Sequence, residues 1–194
     1  MLAEQIAVTM QVADALDALG VPYAIGGSFA SAIHGVMRAT MDADLVADLR
    51  LSDADPLSQA LAGAFYGDAE SMREAVRHQG SFNLIHLATM FKVDVFVAKP
   101  RAFDRSQLAR RQLVLLSEEP ERHAWVASAE DTILAKLEWH RLGGGVADRQ
   151  WRDALGVILV QGERLDPDYM RTMAAQLGVS DLLEQALQAA QAQP

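Results

Sequence analysis

Three aspartates carry the chemistry open to this sequence. Asp42 and Asp44 flank Ala43 and lead into Leu45 and Val46. On a strand, residues i and i+2 share a face, so both carboxylates point the same way. They repel unless a cation joins them, and carboxylate oxygens are hard donors suited to Mg2+ or Mn2+. The plainer reading of an isolated Asp-x-Asp is an edge strand with a solvated acidic face. Asp94 is the third acid, set between Val93 and Val95 in an otherwise apolar strand. A lone charge there needs a partner. If that strand pairs beside residues 42–46, the three carboxylates converge. Upstream, Ile25-Gly26-Gly27-Ser28 ends a short apolar run and opens a helix. Glycines let backbone N–H groups approach an anion, and a helix N-terminus favours negative charge. Such turns also occur for structural reasons alone. Three acids beside a phosphate-binding turn suit a two-metal phosphoryl transfer.

The elements that must hold these residues follow from periodicity. Residues 3–19 read as an amphipathic helix stopped by Gly20 and Pro22. A strand over 22–25 precedes the glycines, and Ser28 is the expected cap of a helix over 29–36. The next strand is 42–48. A helix over 56–65, capped by Asp53 or Asp55, and another over 69–78 follow. Residues 81–88 and 91–98 are spaced for a hairpin, with Phe91, Val93, Val95 and Val97 on one face and Asp94 on the other. A basic helix over 101–110 leads to strands near 111–116 and 123–127. Ser128 and Asp131 resemble a capping box for a helix over 129–142. After Gly143-Gly144-Gly145, helices are expected over 148–161, 167–177 and 180–191. The fold class is α+β, a mixed sheet flanked by helices. The expected division is a core over residues 1–127 and a helical subdomain over 128–194 that completes the cleft.

The motif order resembles the polymerase-β-type nucleotidyltransferase superfamily. Its elements here are Ile25-Gly26-Gly27-Ser28, thirteen intervening residues, Asp42-Ala43-Asp44, and then Val93-Asp94-Val95. The fuller string GGSFASAIHGVMRATMDADL is similar to the small bacterial AbiEii-like branch, with His34, Gly35, Arg38 and Thr40 matching. SAEDTILAKLEWHR resembles that branch's helix with an internal lysine, here Lys136. The small Ala43 departs from the larger aliphatic common there and leaves the metal ligands untouched. The resemblance implies transfer of a nucleoside monophosphate from an NTP to a hydroxyl. It implies Mg2+ or Mn2+ on Asp42, Asp44 and Asp94, and nucleotide contacts from Gly26, Gly27, Ser28, Arg38 and Lys136. The acceptor is RNA (tRNA included), a protein or a small molecule. A toxin role with an antitoxin partner also follows from the branch. The alternative on the same fold is a non-catalytic nucleotide-binding or antitoxin-like regulator.

Other residues carry two readings each. Lys136 is a triphosphate neutraliser or a snorkelling lysine. Arg38 contacts nucleotide or acceptor, or pairs with an aspartate. Arg149, Arg152 and Asp153 share one helix. There Asp153 either partners Lys136 or Arg141, or belongs to a surface ion network. His34 reads as packing or capping rather than as a base, and His86 and His140 as structural. Trp125, Trp139 and Trp151 read as core before they read as stacking faces. Arg101, Arg105, Arg110 and Arg111 touch an acceptor nucleic acid or solubilise a helix. Composition narrows the classes. The formal charge is −9 and no Lys/Arg run is present, which argues against non-specific duplex binding. Without a cysteine, thiolate zinc sites and cysteine nucleophiles are excluded. No apolar stretch is long enough to span a bilayer, and the first ten residues lack a basic leader, so a cytoplasmic protein is expected.

Overall fold

The computed structural model describes residues 2–35, 42–144 and 148–192. The elements are α1 (Leu2–Ala18), β1 (Tyr23–Ile25), α2 (Gly27–His34), β2 (Asp42–Ala47), α3 (Ala54–Leu61), β3 (Phe65–Tyr66), α4 (Ala69–His78), β4 (Ser81–His86) and β5 (Lys92–Val97). Then follow α5 (Ala102–Arg110), β6 (Gln112–Glu118), β7 (Glu121–Val126), α6 (Ala129–Leu142), α7 (Asp148–Gln161), α8 (Pro167–Leu177) and α9 (Ser180–Gln191).

The sheet is mixed and runs β3-β4-β5-β2-β1-β7-β6. Its centre positions the acids. Strands β2 and β5 are parallel neighbours, with Asp42 opposite Lys92, Asp44 opposite Asp94 and Val46 opposite Phe96. Alternation then sorts the two faces. Ala43, Leu45 and Ala47 of β2 and Val93, Val95 and Val97 of β5 are buried in the main core. That core also takes apolar side chains of α1, α3 and α4. The opposite face carries Asp42, Asp44, Lys92 and Asp94. A one-residue slip of either strand would bury its charged set in the core, so burial itself fixes this register. Helices α6–α9 share a second apolar cluster with Phe103 of α5, centred on Ile133, Leu134, Leu137, Val157 and Leu183.

Local chemistry accounts for most boundaries. Asp68 accepts from the backbone N–H of Ser71 and caps α4. Ser128 does the same for α6 through the N–H of Asp131. Asp166 caps α8, and Pro167 occupies its first turn. Two expectations need correction. Ser28 does not cap α2; Gly26 holds the N-cap position and the helix already begins at Gly27. The helix expected over 56–65 is shorter, Ala54–Leu61, behind a 3-10 turn at Leu51–Asp53. The chain then spends Phe65 and Tyr66 on edge strand β3. Two residues are too few for alternation to register in a sequence.

Candidate active site

Strand β1 delivers the glycine turn to the head of β2. The Gly26 N–H donates to the Asp44 carbonyl at 2.8 Å, extending the antiparallel β1–β2 pairing by one residue. Gly27 follows at φ +55°, and a methyl group there would lie 1.8 Å from Asp44 Oδ2. Both the backbone angle and the close approach of Asp44 therefore demand glycine. The turn opens α2, whose first N–H groups have no helical acceptor.

The electrostatics of the acids follow from their register. Burial, and secondarily the charge of Asp42, push the Asp44 carboxyl up to about 6. Lys136 and Lys92 oppose that rise, and Asp94 adds to it. Lys92 places Nζ 2.7 Å from Asp94 Oδ2. Its own pKa is raised, first by that hydrogen bond and then by the charges of Asp94, Asp42 and Asp44. The other oxygen, Asp94 Oδ1, is buried and has no hydrogen-bond partner among the described residues. Buried carboxylate oxygens rarely go unsatisfied. Among the described residues, no three His, Cys, Asp or Glu side chains are gathered as a metal site. Asp94 is turned instead towards Lys92.

Helices α6 and α7 form the facing wall. Lys136 Nζ lies 3.0 Å from Asp153 Oδ2, with both side chains almost wholly buried. Of the two partners weighed for Asp153, Lys136 is the one observed, whereas Arg141 pairs with Asp181 on the surface. Arg149 Nη2 donates to Ser28 Oγ at 3.3 Å, joining α7 to the glycine turn. Arg152 donates to the Asp148 carbonyl and stays on the exposed side. His34 Nε2 lies 2.7 Å from the Ala127 carbonyl, and burial lowers its pKa. It packs, as expected. Arg38 and Thr40 fall outside the described residues.

Gly26, Gly27, Asp44, Thr132, Lys136 and Gln150 line one part of a cleft of about 460 Å³. Its remaining wall includes Phe96, Phe103, Trp139 and Leu142. Trp139 departs from the core expectation. It is 49% exposed and stands edge-on to Phe96 at 5.8 Å. The arginines near α5 are mostly engaged within the protein. Arg101 pairs with Asp104 and with Glu138. Arg110 lies over the Tyr169 ring and 3.5 Å from Glu130. Arg111 lies over Trp125.

The raised Asp44 pKa predicts a pH-dependent stability. Below about pH 3 this carboxyl is protonated in both the folded and unfolded states. As pH rises towards 6 the unfolded chain loses that proton first, so stability falls, and above about 6 the penalty is constant. Asp44→Asn removes it. The variant is expected to melt about 4–8 °C above the wild type at pH 7.5, from on the order of 2 kcal/mol, with the gain vanishing towards about pH 3. Thermal melts at the two pH values check this, and an equal offset at both would contradict it.

No family model matches the chain, and no curated protein matches it. Solved structures do. One is an antigenic nucleotidyltransferase-like protein from Paracoccidioides brasiliensis, with TM-score 0.54 and 19% identity, covering 96% of this chain and 93% of its own. Another is ANT(2'')-Ia in complex with adenylyl-2''-tobramycin, with TM-score 0.51 and 15% identity, covering 90% of this chain and 97% of that one. The mixed sheet with its glycine turn and the helical wall across the cleft is therefore the fold of nucleotidyltransferase-like proteins.

Proposed function

We propose that the chain is a metal-dependent nucleotidyltransferase. It moves a nucleoside monophosphate from an NTP to a hydroxyl acceptor and releases pyrophosphate. One observation carries the reading: parallel pairing sets Asp44 directly beside Asp94, with the Gly27 turn pressed against Asp44. A fold alone does not fix an activity, but this arrangement has no structural use. It keeps a carboxyl high, leaves a buried oxygen unsatisfied and requires glycine at a positive φ. Hard oxygen donors and an orphaned carboxylate oxygen fit a divalent cation, so Asp42, Asp44 and Asp94 would hold Mg2+ or Mn2+. Such an ion would screen the triphosphate and lower the pKa of the acceptor hydroxyl. The chain's own groups do the rest. The N–H groups of Gly27 and Ser28 face the phosphates, with Arg38 as a further contact. Lys136 offers a positive charge held in place by Asp153. Asp94 takes the hydroxyl proton.

The acceptor classes are RNA, a protein side chain or a small molecule. A cytoplasmic toxin held by an antitoxin is the context we favour. No helix among the described residues is long and apolar enough to cross a membrane. The second reading, a nucleotide-binding regulator without catalysis, draws on the Lys92–Asp94 pair, which occupies one oxygen of the third acid.

Calorimetric titration with each NTP, with and without Mg2+ or Mn2+, tests the metal role. The cation is expected to tighten NTP binding at least about 10-fold, and Asp42→Ala with Asp44→Ala to abolish that gain. Equal, metal-independent affinity in both proteins would defeat the proposal. Incubation with labelled NTP and cell lysate then separates RNA, protein and small-molecule acceptors by where the label lands.

A further inference from the structure

A second cavity, of about 540 Å³, lies behind the turn that joins β5 to α5. It shares Gln79, Val97 and Lys99 with the cleft described above, so the two lie side by side at that turn. Its charge is opposite to that of the protein as a whole. Lys99, Arg105 and Arg111 line it against the single acid Asp48, whereas the chain carries a net charge of −9. The Lys99 backbone N–H donates to Asp104 Oδ1 at 3.1 Å, which fixes the turn and leaves its ammonium exposed. Arg105 is exposed, and neither it nor Lys99 forms an ion pair among the described residues. Arg111 is held more firmly. Its guanidinium lies 4.6 Å over the Trp125 ring and donates to the Leu108 carbonyl, and its buried Nε has no hydrogen-bond partner among the described residues. An arginine held in place by Trp125 and the Leu108 carbonyl, flanked by two exposed cations in a concavity, suits a phosphate group.

We infer that this cavity binds a phosphate carried by the acceptor, so that the acceptor class is a phosphate-bearing hydroxyl compound. The inference rests on the nucleotidyltransferase reading for the word acceptor, and on the cavity alone for the phosphate. Its place along β5 gives the scale. Asp94 and Lys99 lie five residues apart, at most roughly 17 Å at the rise of a strand. A hydroxyl at Asp94 and a phosphate at Lys99 are thus two parts of one extended ligand. A polyamine acceptor would meet three like charges at this wall. The phosphate could belong to a single-stranded nucleic acid or to a small phosphorylated metabolite, and binding separates the two.

The probes are inorganic phosphate, a hexose 6-phosphate, a single-stranded RNA hexamer and an unphosphorylated nucleoside. Each is titrated by calorimetry at several salt concentrations, into the wild type and into a Lys99→Gln, Arg105→Gln double variant. At least one organic phosphate probe is expected to bind, and the double variant to weaken it at least about 10-fold, with a flatter salt dependence. An RNA hexamer that binds far more tightly than the hexose phosphate, with a salt slope above one phosphate, identifies a nucleic acid. Equal affinities with a slope near one identify a small phosphate compound. Absence of binding by both organic phosphates, or binding that the double variant leaves unchanged, overturns the inference. Titration of Mg·NTP into the wild type reports separately on the nucleotide site that the enzyme reading requires. Failure of that binding with the phosphate site intact would remove the enzyme reading and leave the cavity. Intact NTP binding without the phosphate site would do the reverse.

Discussion

Asp94→Asn is expected to leave a folded protein that still binds Mg·NTP but transfers nucleotide at least about 100-fold more slowly. The argument runs through what each acid touches. Asp42 and Asp44 sit on β2 beside the glycine turn, where the triphosphate would lie. Asp94 sits one strand further on, towards β4, with Asn83 as its antiparallel neighbour. Its Oδ1, without a hydrogen-bond partner among the described residues, is the oxygen left for the proposed chemistry, because Lys92 occupies the other. Asn keeps the shape and loses the charge and the basicity. The fold should tolerate this, because the lost partner, Lys92, has a side chain 41% exposed, and such a pair contributes at most about 1 kcal/mol. Three measurements on one preparation decide the matter: thermal melting, nucleotide titration and pyrophosphate release with acceptor-containing lysate. Transfer at the wild-type rate would take Asp94 out of the chemistry. Wild-type protein that binds NTP and transfers it to no acceptor would favour the regulator.

The acids were legible because their spacing is local and their strands alternate. Asp42 and Asp44 needed only period two, and Asp94 stood out as a charge in an apolar run. Their convergence was conditional on β2 pairing with β5, a contact across fifty residues that no local pattern encodes. The helices of the facing wall were equally plain, since caps and glycines mark their ends. What they bring to the site was not. Arg149 reaches Ser28 across 121 residues, and its sequence signal was only a helix face shared with Arg152 and Asp153. Lys92 precedes Asp94 by two residues. Its place among all three acids emerges only once Asp42 lies opposite it in register. Trp139 followed helical spacing into an expected core position, yet the cleft opens at that point and leaves it half exposed. The missed strand β3 and the misplaced cap at Ser28 have a common cause. Both depend on backbone geometry over two or three residues, below the length at which a pattern can be read.

The buried Lys136–Asp153 pair should give the largest change in stability, and its variants separate structure from function. The two side chains are 6% and 4% exposed. Lys136→Met would leave the Asp153 carboxylate buried without its nearest cation. Such a break is expected to destabilise the protein by about 3–5 kcal/mol, lowering Tm by about 6–20 °C. Asp44 would lose an opposing charge as well, so its carboxyl would rise further and hold its proton to higher pH. Destabilisation would make the single variant bind NTP poorly on either reading, and titration at alkaline pH keeps Asp44 ionised in every variant. The informative protein is the double variant Lys136→Met, Asp153→Val, in which apolar groups of nearly the same combined volume replace both charges. Removing a buried pair together is often neutral or stabilising, so most of the lost Tm should return. If Lys136 is a phosphate contact, NTP affinity should remain weakened, by about 1.5–3 kcal/mol. Binding of the corresponding nucleoside, which has no phosphate for Lys136 to meet, should match that of the wild type. Melting curves and paired NTP and nucleoside titrations on the three proteins decide it. Should the double variant recover NTP affinity along with its Tm, Lys136 holds α6 to α7 and the triphosphate owes its charge balance to other groups.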